Sequence, residues 1–272
     1  MPHDGDVTTT QQGAPVPVHG DVDVVDGRPI QVLTTTGDDA TSPDVVLLPG
    51  LGLPTYLVPL VQALADRGLT STILDLPGFG GPGPRACGPS VGEVAESAAA
   101  WLRDRCATAP RPVVLVGHST GAQAALAAAV TLSEDGPVGA VVLAGPTVAP
   151  RQRNPLRLVA VAPAAYRRDS PKQLFALKYV ARWAPQLARM LLSGTRDAPE
   201  ETMRQLRLPV VLTAGRADAF APPSWLATLA AAAVQAPSAR IVRLPGSHNN
   251  PFTHTVPFSG LVAAVVRSLD AR

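Results

Sequence analysis

"VVLVGHSTGAQAALAAAV", residues 113–130, runs an apolar β-branched stretch into a polar knot, Gly117-His118-Ser119-Thr120-Gly121, and out again into a nearly continuous alanine segment. The first part reads as a short strand buried on both faces and the last as a buried helix. The chain therefore passes from strand to helix within about two residues, with Ser119 at the turn. A turn that sharp brings neighbouring backbones together and pushes its central residue toward a strained conformation, and Gly117 and Gly121 remove the side chains that would collide there. The Ser119 hydroxyl is thereby presented at a helix start, beside unpaired backbone N–H groups and the positive end of the helix dipole. A serine serving only as an N-cap would look the same locally, so the rest of the chain has to choose between nucleophile and cap.

Working outward, strand-like and helical stretches alternate on both sides of this segment. Residues 30–35, 45–48 and 70–74 read as strands before it and residues 138–143, 210–213 and 240–244 as strands after it, with helices starting near Pro54, Val91, Pro223 and Pro257. That rhythm predicts an α/β fold: a mostly parallel sheet with helices on both faces. It breaks between about Ala149 and Leu208, where helical pieces follow one another without a strand. Ser170-Pro171 reads as an N-cap followed by a first-turn proline, and Pro185 as the start of a second helix that stops at Ser193-Gly194. The expected organisation is a mobile tail over 1–16, a core built from 17–148 and 207–272, and a helical cap over 149–206 inserted after the sixth strand.

Composition narrows the functional classes. A chain of 272 residues can bury a sizeable core without staples, and 46% hydrophobic with 16% charged residues and a net charge of +2 suggests neither disorder nor a dedicated nucleic-acid surface. A small-molecule partner is expected. Cys87 and Cys106 have neither metal nor redox spacing and would make a thin disulfide framework, which points to a reducing cytoplasm. The N-terminus lacks the pattern of a secretory signal, and no apolar run reaches membrane-spanning length. No cofactor or metal motif stands out.

Open parallel sheets bind ligands at the carboxyl ends of their strands, the edge on which Ser119 falls. A serine hydroxyl needs a base to take its proton and a third group to orient that base. Of the five histidines, His3 lies in the tail, His19 in an early edge segment, and His118 is fixed one residue before the serine with its side chain turned away from Oγ. That leaves His248 and His254. His248 directly follows the strand in "RIVRLPG", at the carboxyl edge, and is the better placed; His254 sits near the start of the terminal helix. For the acid, "PVVLTAGRADAFAPP" ends a strand at Ala214 and presents Asp218 in a short loop, whereas "VVLAGPTVAP" carries no acid and Glu134 and Asp135 precede their strand. The alternative role for Asp218 is to cap the turn at Gly215.

In these residues the chain resembles the α/β-hydrolase fold family, whose signature is a G-x-S-x-G elbow with the order serine, acid, histidine. Here that order is Ser119, Asp218, His248. "VVLLPGLGLPT" looks like the family's oxyanion loop, "DLPGFGGPG" like its loop after the fourth strand and "PGSH" like its histidine loop; together they span nearly everything from residue 18 onward. The resemblance implies an eight-stranded-type sheet and backbone N–H donors at Leu51 and Thr120 for a developing oxyanion, with Gly50 and Gly52 allowing close approach. Pro49 stands where the family often has histidine, which puts the usual side-chain bracing of that loop in question. Asp75 corresponds to an aspartate that braces a loop.

Further pocket candidates are Gly50, Phe79 as a wall, Trp183 from the cap, and Asn249 beside the base. Tyr56 either points into the site or packs on the first helix. The apolar faces of the cap helices, with Leu174, Leu177, Tyr179, Leu187, Met190 and Leu191, suit an apolar acyl group. The cap's basic residues, including Arg167, Arg168, Lys172 and Arg182, offer either a solvated face or a contact for an anionic substrate or acyl carrier. The expected activity is a cofactor-independent serine hydrolase acting on an ester, lactone or thioester. The alternatives are a metal-free haloperoxidase or perhydrolase, a C–C bond hydrolase, and a ligand receptor or biosynthetic accessory protein that keeps the pocket without turnover.

Overall fold

The computed structural model describes residues 16–35, 43–79, 85–132, 136–166 and 177–271, with the backbone alone over 177–181. The expected tail, apart from Val16, and the Ser170-Pro171 helix start lie outside these residues. Eight described strands form one sheet: β1 (Val18–Val25), β2 (Arg28–Thr35), β3 (Val45–Leu48), β4 (Ser71–Asp75), β5 (Val113–His118), β6 (Val138–Ala144), β7 (Val210–Gly215) and β8 (Ala239–Leu244), in the order β1-β2-β4-β3-β5-β6-β7-β8. β2 is antiparallel to both neighbours, and β4 through β8 run parallel. The edge hairpin β1–β2 turns on Asp26-Gly27, both at positive φ, the geometry that an Asp-Gly pair supplies for a two-residue turn.

The central strands read as continuous apolar runs because both faces are covered. Val46, Leu48, Leu115, Val141, Leu143 and Leu212 pack into one core with α2 (Val91–Cys106), α3 (Thr120–Leu132) and α7 (Pro223–Ala232). Their sequence neighbours Val45, Leu47, Val114, Val116, Val142 and Val211 pack into the other, with α1 (Val58–Ala65) and α9 (Thr255–Asp270). The period-two alternation of side chains thus feeds two cores rather than a core and solvent. No helix among the described residues is long and apolar enough to cross a membrane.

Between β6 and β7 lie α4 (Pro155–Tyr166), α5 (Leu177–Arg196) and α6 (Pro199–Met203). α5 departs from helical geometry at Trp183 (φ −114°, ψ 16°), two residues before Pro185, where the proline ring and its missing N–H interrupt the ladder. The helix does not stop at Ser193-Gly194 as expected but runs on to Arg196. Gly194 serves close packing instead: a Cβ there would stand 3.0 Å from Gln123 Oε1 and 3.2 Å from Thr120 Cγ2, and its carbonyl accepts Gln123 Nε2 at 3.0 Å. The C-terminal helix opens at Thr255, two residues before Pro257, after a single turn, α8 (Asn250–Thr253).

Candidate active site

The elbow is as tight as its glycines imply. A Cβ on Gly117 would collide with the Gly121 carbonyl and the Ala122 backbone, and one on Gly121 with the Leu48 and Pro49 carbonyls. Ser119 itself lies at φ 57°, a left-handed conformation costing a non-glycine residue about 1–3 kcal/mol. The surroundings hold it there: its N–H donates to the Ala144 carbonyl at 2.9 Å and its carbonyl accepts Ala122 N–H at 3.0 Å. Its side chain is thereby turned off the end of β5 rather than into the first turn of α3.

Ser119 Oγ lies 3.0 Å from His248 Nε2, and His248 Nδ1 lies 3.0 Å from Asp218 Oδ2. The ionised carboxylate can only accept, so Nδ1–H donates to Asp218 and Nε2 is left to accept the serine proton. Asp218 Oδ1 takes N–H groups from Phe220 (2.9 Å) and Ala221 (3.2 Å), so turn capping and histidine orientation are performed by different oxygens of one carboxylate. Burial pushes the Asp218 pKa upward, but the electrostatic pull of His248, the ring hydrogen bond and the two backbone donors outweigh it and hold the carboxyl below its ordinary value. Gly145, at the end of β6 and at φ 51°, makes room for the pair: a Cβ there would be 3.1 Å from both Asp218 Oδ2 and the His248 ring. His254 stands elsewhere, its Nδ1 bonded to Thr253 Oγ1 at 2.9 Å and its ring under Gly246.

The Gly50–Gly52 turn closes over the elbow, and a Cβ on Gly50 would be 2.8 Å from Ser119 Cβ. Leu51 adopts φ 52°, and its N–H donates to Thr120 Oγ1 at 2.8 Å. Asp75 Oδ1 accepts Phe79 N–H at 2.9 Å, bracing the loop after β4.

Tyr56 neither lines an open pocket nor merely packs on α1. Its hydroxyl accepts Gly50 N–H at 2.7 Å and lies 2.6 Å from His118 Nδ1, while His118 Nε2 lies 3.0 Å from the His248 carbonyl. A carbonyl accepts only, which places the His118 proton on Nε2 and makes Nδ1 the acceptor of the Tyr56 proton. One unbroken set of hydrogen bonds thus runs from the Gly50–Gly52 turn through Tyr56 and His118 to the backbone of the loop that carries His248. Burial raises the Tyr56 phenol far above its ordinary value. Burial, then the adjacent His248, lowers His118 to about 3, with only partial opposition from its bond to the His248 carbonyl and from Asp218.

That depression sets a pH dependence. The unfolded chain protonates His118 below about pH 6.5 and the folded chain only near 3, so folded-state stability falls as pH drops through this window. From pH 7 to 5 this one residue should remove about 2 kcal/mol. Asp218 adds a loss of the same sign, but lower, as pH falls through the carboxylate range toward its depressed value. Urea unfolding of the wild type and of His118→Gln at pH 7 and pH 5 checks this: the variant should lose about 2 kcal/mol less, and equal losses would refute it.

The remaining candidates divide. Phe79 is 1% exposed, lies against Gly52, and stacks on Trp183 with centroids 5.4 Å apart; Arg85 and Arg182 stand over the same indole. Asn249 caps α8 through its carbonyl, which accepts Phe252 and Thr253 N–H groups. Arg167, Arg168, Lys172 and Leu174 lie outside the described residues. The sequence did not reveal Tyr166 and Phe220, whose rings meet His248 edge-on at 5.6 and 4.8 Å, or the Ala165 carbonyl, which accepts His248 N–H at 3.1 Å.

The family model described as "Alpha/beta hydrolase family" matches residues 45–264. No curated protein sequence matches this one. Among solved structures, a thermophilic esterase superposes with TM-score 0.71 at 19% identity, covering 93% of this chain and 99% of that one. The enol-lactonase from Burkholderia xenovorans LB400 gives 0.66 at 18% over 91% and 100% of the two chains, and the thioesterase domain from the curacin biosynthetic pathway 0.63 at 17% over 91% and 99%. At these identities the superpositions speak for the fold, and the family match covers most of the chain, from β3 into the terminal helix. The chain belongs to the alpha/beta hydrolase family.

Proposed function

We propose that the protein is a serine hydrolase that cleaves a carboxylic ester, thioester or lactone through an acyl-enzyme on Ser119. The observation that carries this reading is the line Ser119 Oγ, His248, Asp218, joined by two 3.0 Å contacts and built on a serine held at positive φ. His248 Nε2 takes the hydroxyl proton as Oγ attacks the carbonyl carbon, and Asp218 stabilises the imidazolium that results. The carbonyl oxygen becomes negative beside the N–H groups of Thr120 and Leu51. As the tetrahedral species collapses, the imidazolium gives its proton to the departing alcohol or thiol. Water then attacks the acyl group, His248 again accepts the proton, and Ser119 leaves with it.

The helices between β6 and β7 act as a lid in this reading. The end of α4 sits on the base through Ala165 and Tyr166, and the first half of α5 brings Trp183 over Phe79. The later half of α5 is fastened to the core by buried Leu187 and Met190, by the Gln123–Gly194 bond and by Ser193, whose Oγ accepts Val91 N–H at 3.0 Å. Tyr166, Phe220 and Trp183 supply aromatic surface suited to an apolar acyl group, and Arg85 and Arg182 put positive charge at the Trp183 end. The esterase, enol-lactonase and thioesterase among the similar structures are in keeping with acyl-transfer chemistry.

The test offers nitrophenyl esters of graded chain length, an aryl thioester and a lactone, with intact-mass measurement of quenched reactions. Turnover of at least one class with an acyl adduct that builds and then clears is the expected result. Saturable binding with neither turnover nor adduct would replace the hydrolase with the ligand-receptor alternative.

A further inference from the structure

Thr120 enters the proposed mechanism through its backbone N–H, yet its side chain occupies the same place. Leu51 N–H, the second donor in that scheme, is directed at Thr120 Oγ1 at 2.8 Å. A hydroxyl that accepts one N–H keeps its own proton to give away, and the bond it accepts polarises that proton. The rotamer is fixed from the other side. Thr120 Cγ2 faces Gly194 of α5, where a Cβ would approach to 3.2 Å, and Gly194 is tied to α3 by Gln123. With the methyl committed to α5, Oγ1 is committed to the Leu51 turn, and Thr120 is 1% exposed, so bulk water does not compete for the hydroxyl.

We propose that the Thr120 hydroxyl is itself an oxyanion donor. Backed by Leu51 N–H, it donates to the substrate carbonyl oxygen as negative charge develops there, alongside Thr120 N–H. Resting on Ser119 as the attacking group, the proposal adds a side-chain donor to a hole otherwise made of backbone. Its rival is that the hydroxyl only plugs an empty hole and must be displaced from Leu51 before substrate reacts. The two differ in sign, because removing a plug frees Leu51 N–H, whereas removing a donor lowers transition-state stabilisation.

Thr120→Val keeps the branched shape and deletes the hydroxyl, and Thr120→Ser keeps the hydroxyl. Loss of one oxyanion donor typically costs about 10²–10³ in kcat; with Leu51 N–H freed as a partial substitute, Thr120→Val should lose about 10- to 100-fold in kcat with little change in KM, and Thr120→Ser should stay near wild type. Affinity for a trifluoromethyl ketone, which forms an oxyanion-bearing adduct with the serine, should fall by the same factor, and affinity for the product carboxylic acid should not. If Thr120→Val does not fold, Thr120→Ala removes the hydroxyl without adding a methyl and should show the same losses. A valine or alanine variant with kcat and ketone affinity at or above wild type overturns the donor and identifies a plug. Wild-type protein that turns over no ester, thioester or lactone and forms no ketone adduct overturns the hydrolase reading, and the proposal with it.

Discussion

Ser119→Ala is expected to lower kcat for the best ester by about 10⁵–10⁶-fold while leaving substrate binding within a few-fold, the pattern of removing one member of a unit that acts only together. Alanine keeps the Cβ and the backbone demand at φ 57°, so the elbow and its bonds to Ala144 and Ala122 stay, and only Oγ is lost. Thermal stability should therefore stay within a few degrees of wild type. A fluorophosphonate should label the wild type at Ser119 and leave the variant unlabelled, since only a hydroxyl with a base at 3.0 Å and donors beside it reacts quickly. Undiminished labelling of the variant would place the reactive hydroxyl elsewhere.

The elbow was legible because close packing leaves few solutions. Where α3 leaves β5 so abruptly, the Gly117 position meets the next turn of backbone and the Gly121 position meets Leu48 and Pro49, and no other residue type fits either place. The meeting of Asp218 and His248 with Ser119 was legible for a topological reason: in a parallel sheet every strand end faces the same edge, so loops after β7 and β8 converge on the loop after β5 however far apart they are in sequence. The alternation marks the seven strands β2 to β8 and their mostly parallel run but not their order, and β1 escapes it although Asp26-Gly27 at the hairpin is a local signal for the partner of β2.

What stayed hidden depends on loops and helices that no periodicity describes. His118 was read as turned away from Oγ, and it is, but the bonds that give it purpose reach 62 residues back to Tyr56 and 130 forward to His248. One clue was available: a histidine in a strand buried on both faces must find partners for both ring nitrogens. Gly194 carried the composition of a helix stop while serving as a contact surface for Thr120, a distinction visible only once α5 lies on α3. Tyr166 and Ala165 reach His248 from α4, whose almost uniformly apolar sequence marks no one face as the buried one.

His248→Ala should match the serine variant, losing about 10⁵–10⁶ in kcat, and the double variant with Ser119→Ala should be no worse than either single one, because a nucleophile without its base and a base without its nucleophile fail at the same step. His254→Ala is the control that the geometry supplies. Its ring gives up one bond to Thr253 Oγ1 and its packing beneath Gly246, which costs stability on the order of 1–2 kcal/mol, yet it leaves the 3.0 Å contacts of His248 to Ser119 and Asp218 in place. Its kcat should stay within a few-fold of wild type at a temperature where both are folded. The reverse ranking, or losses that multiply in the double variant to far below either single one, would mean that His248 does not take the Ser119 proton. Deleting the hydrogen bond between them would then have to cost nothing, although it is the one bond that each side chain makes to the other across 129 residues of chain.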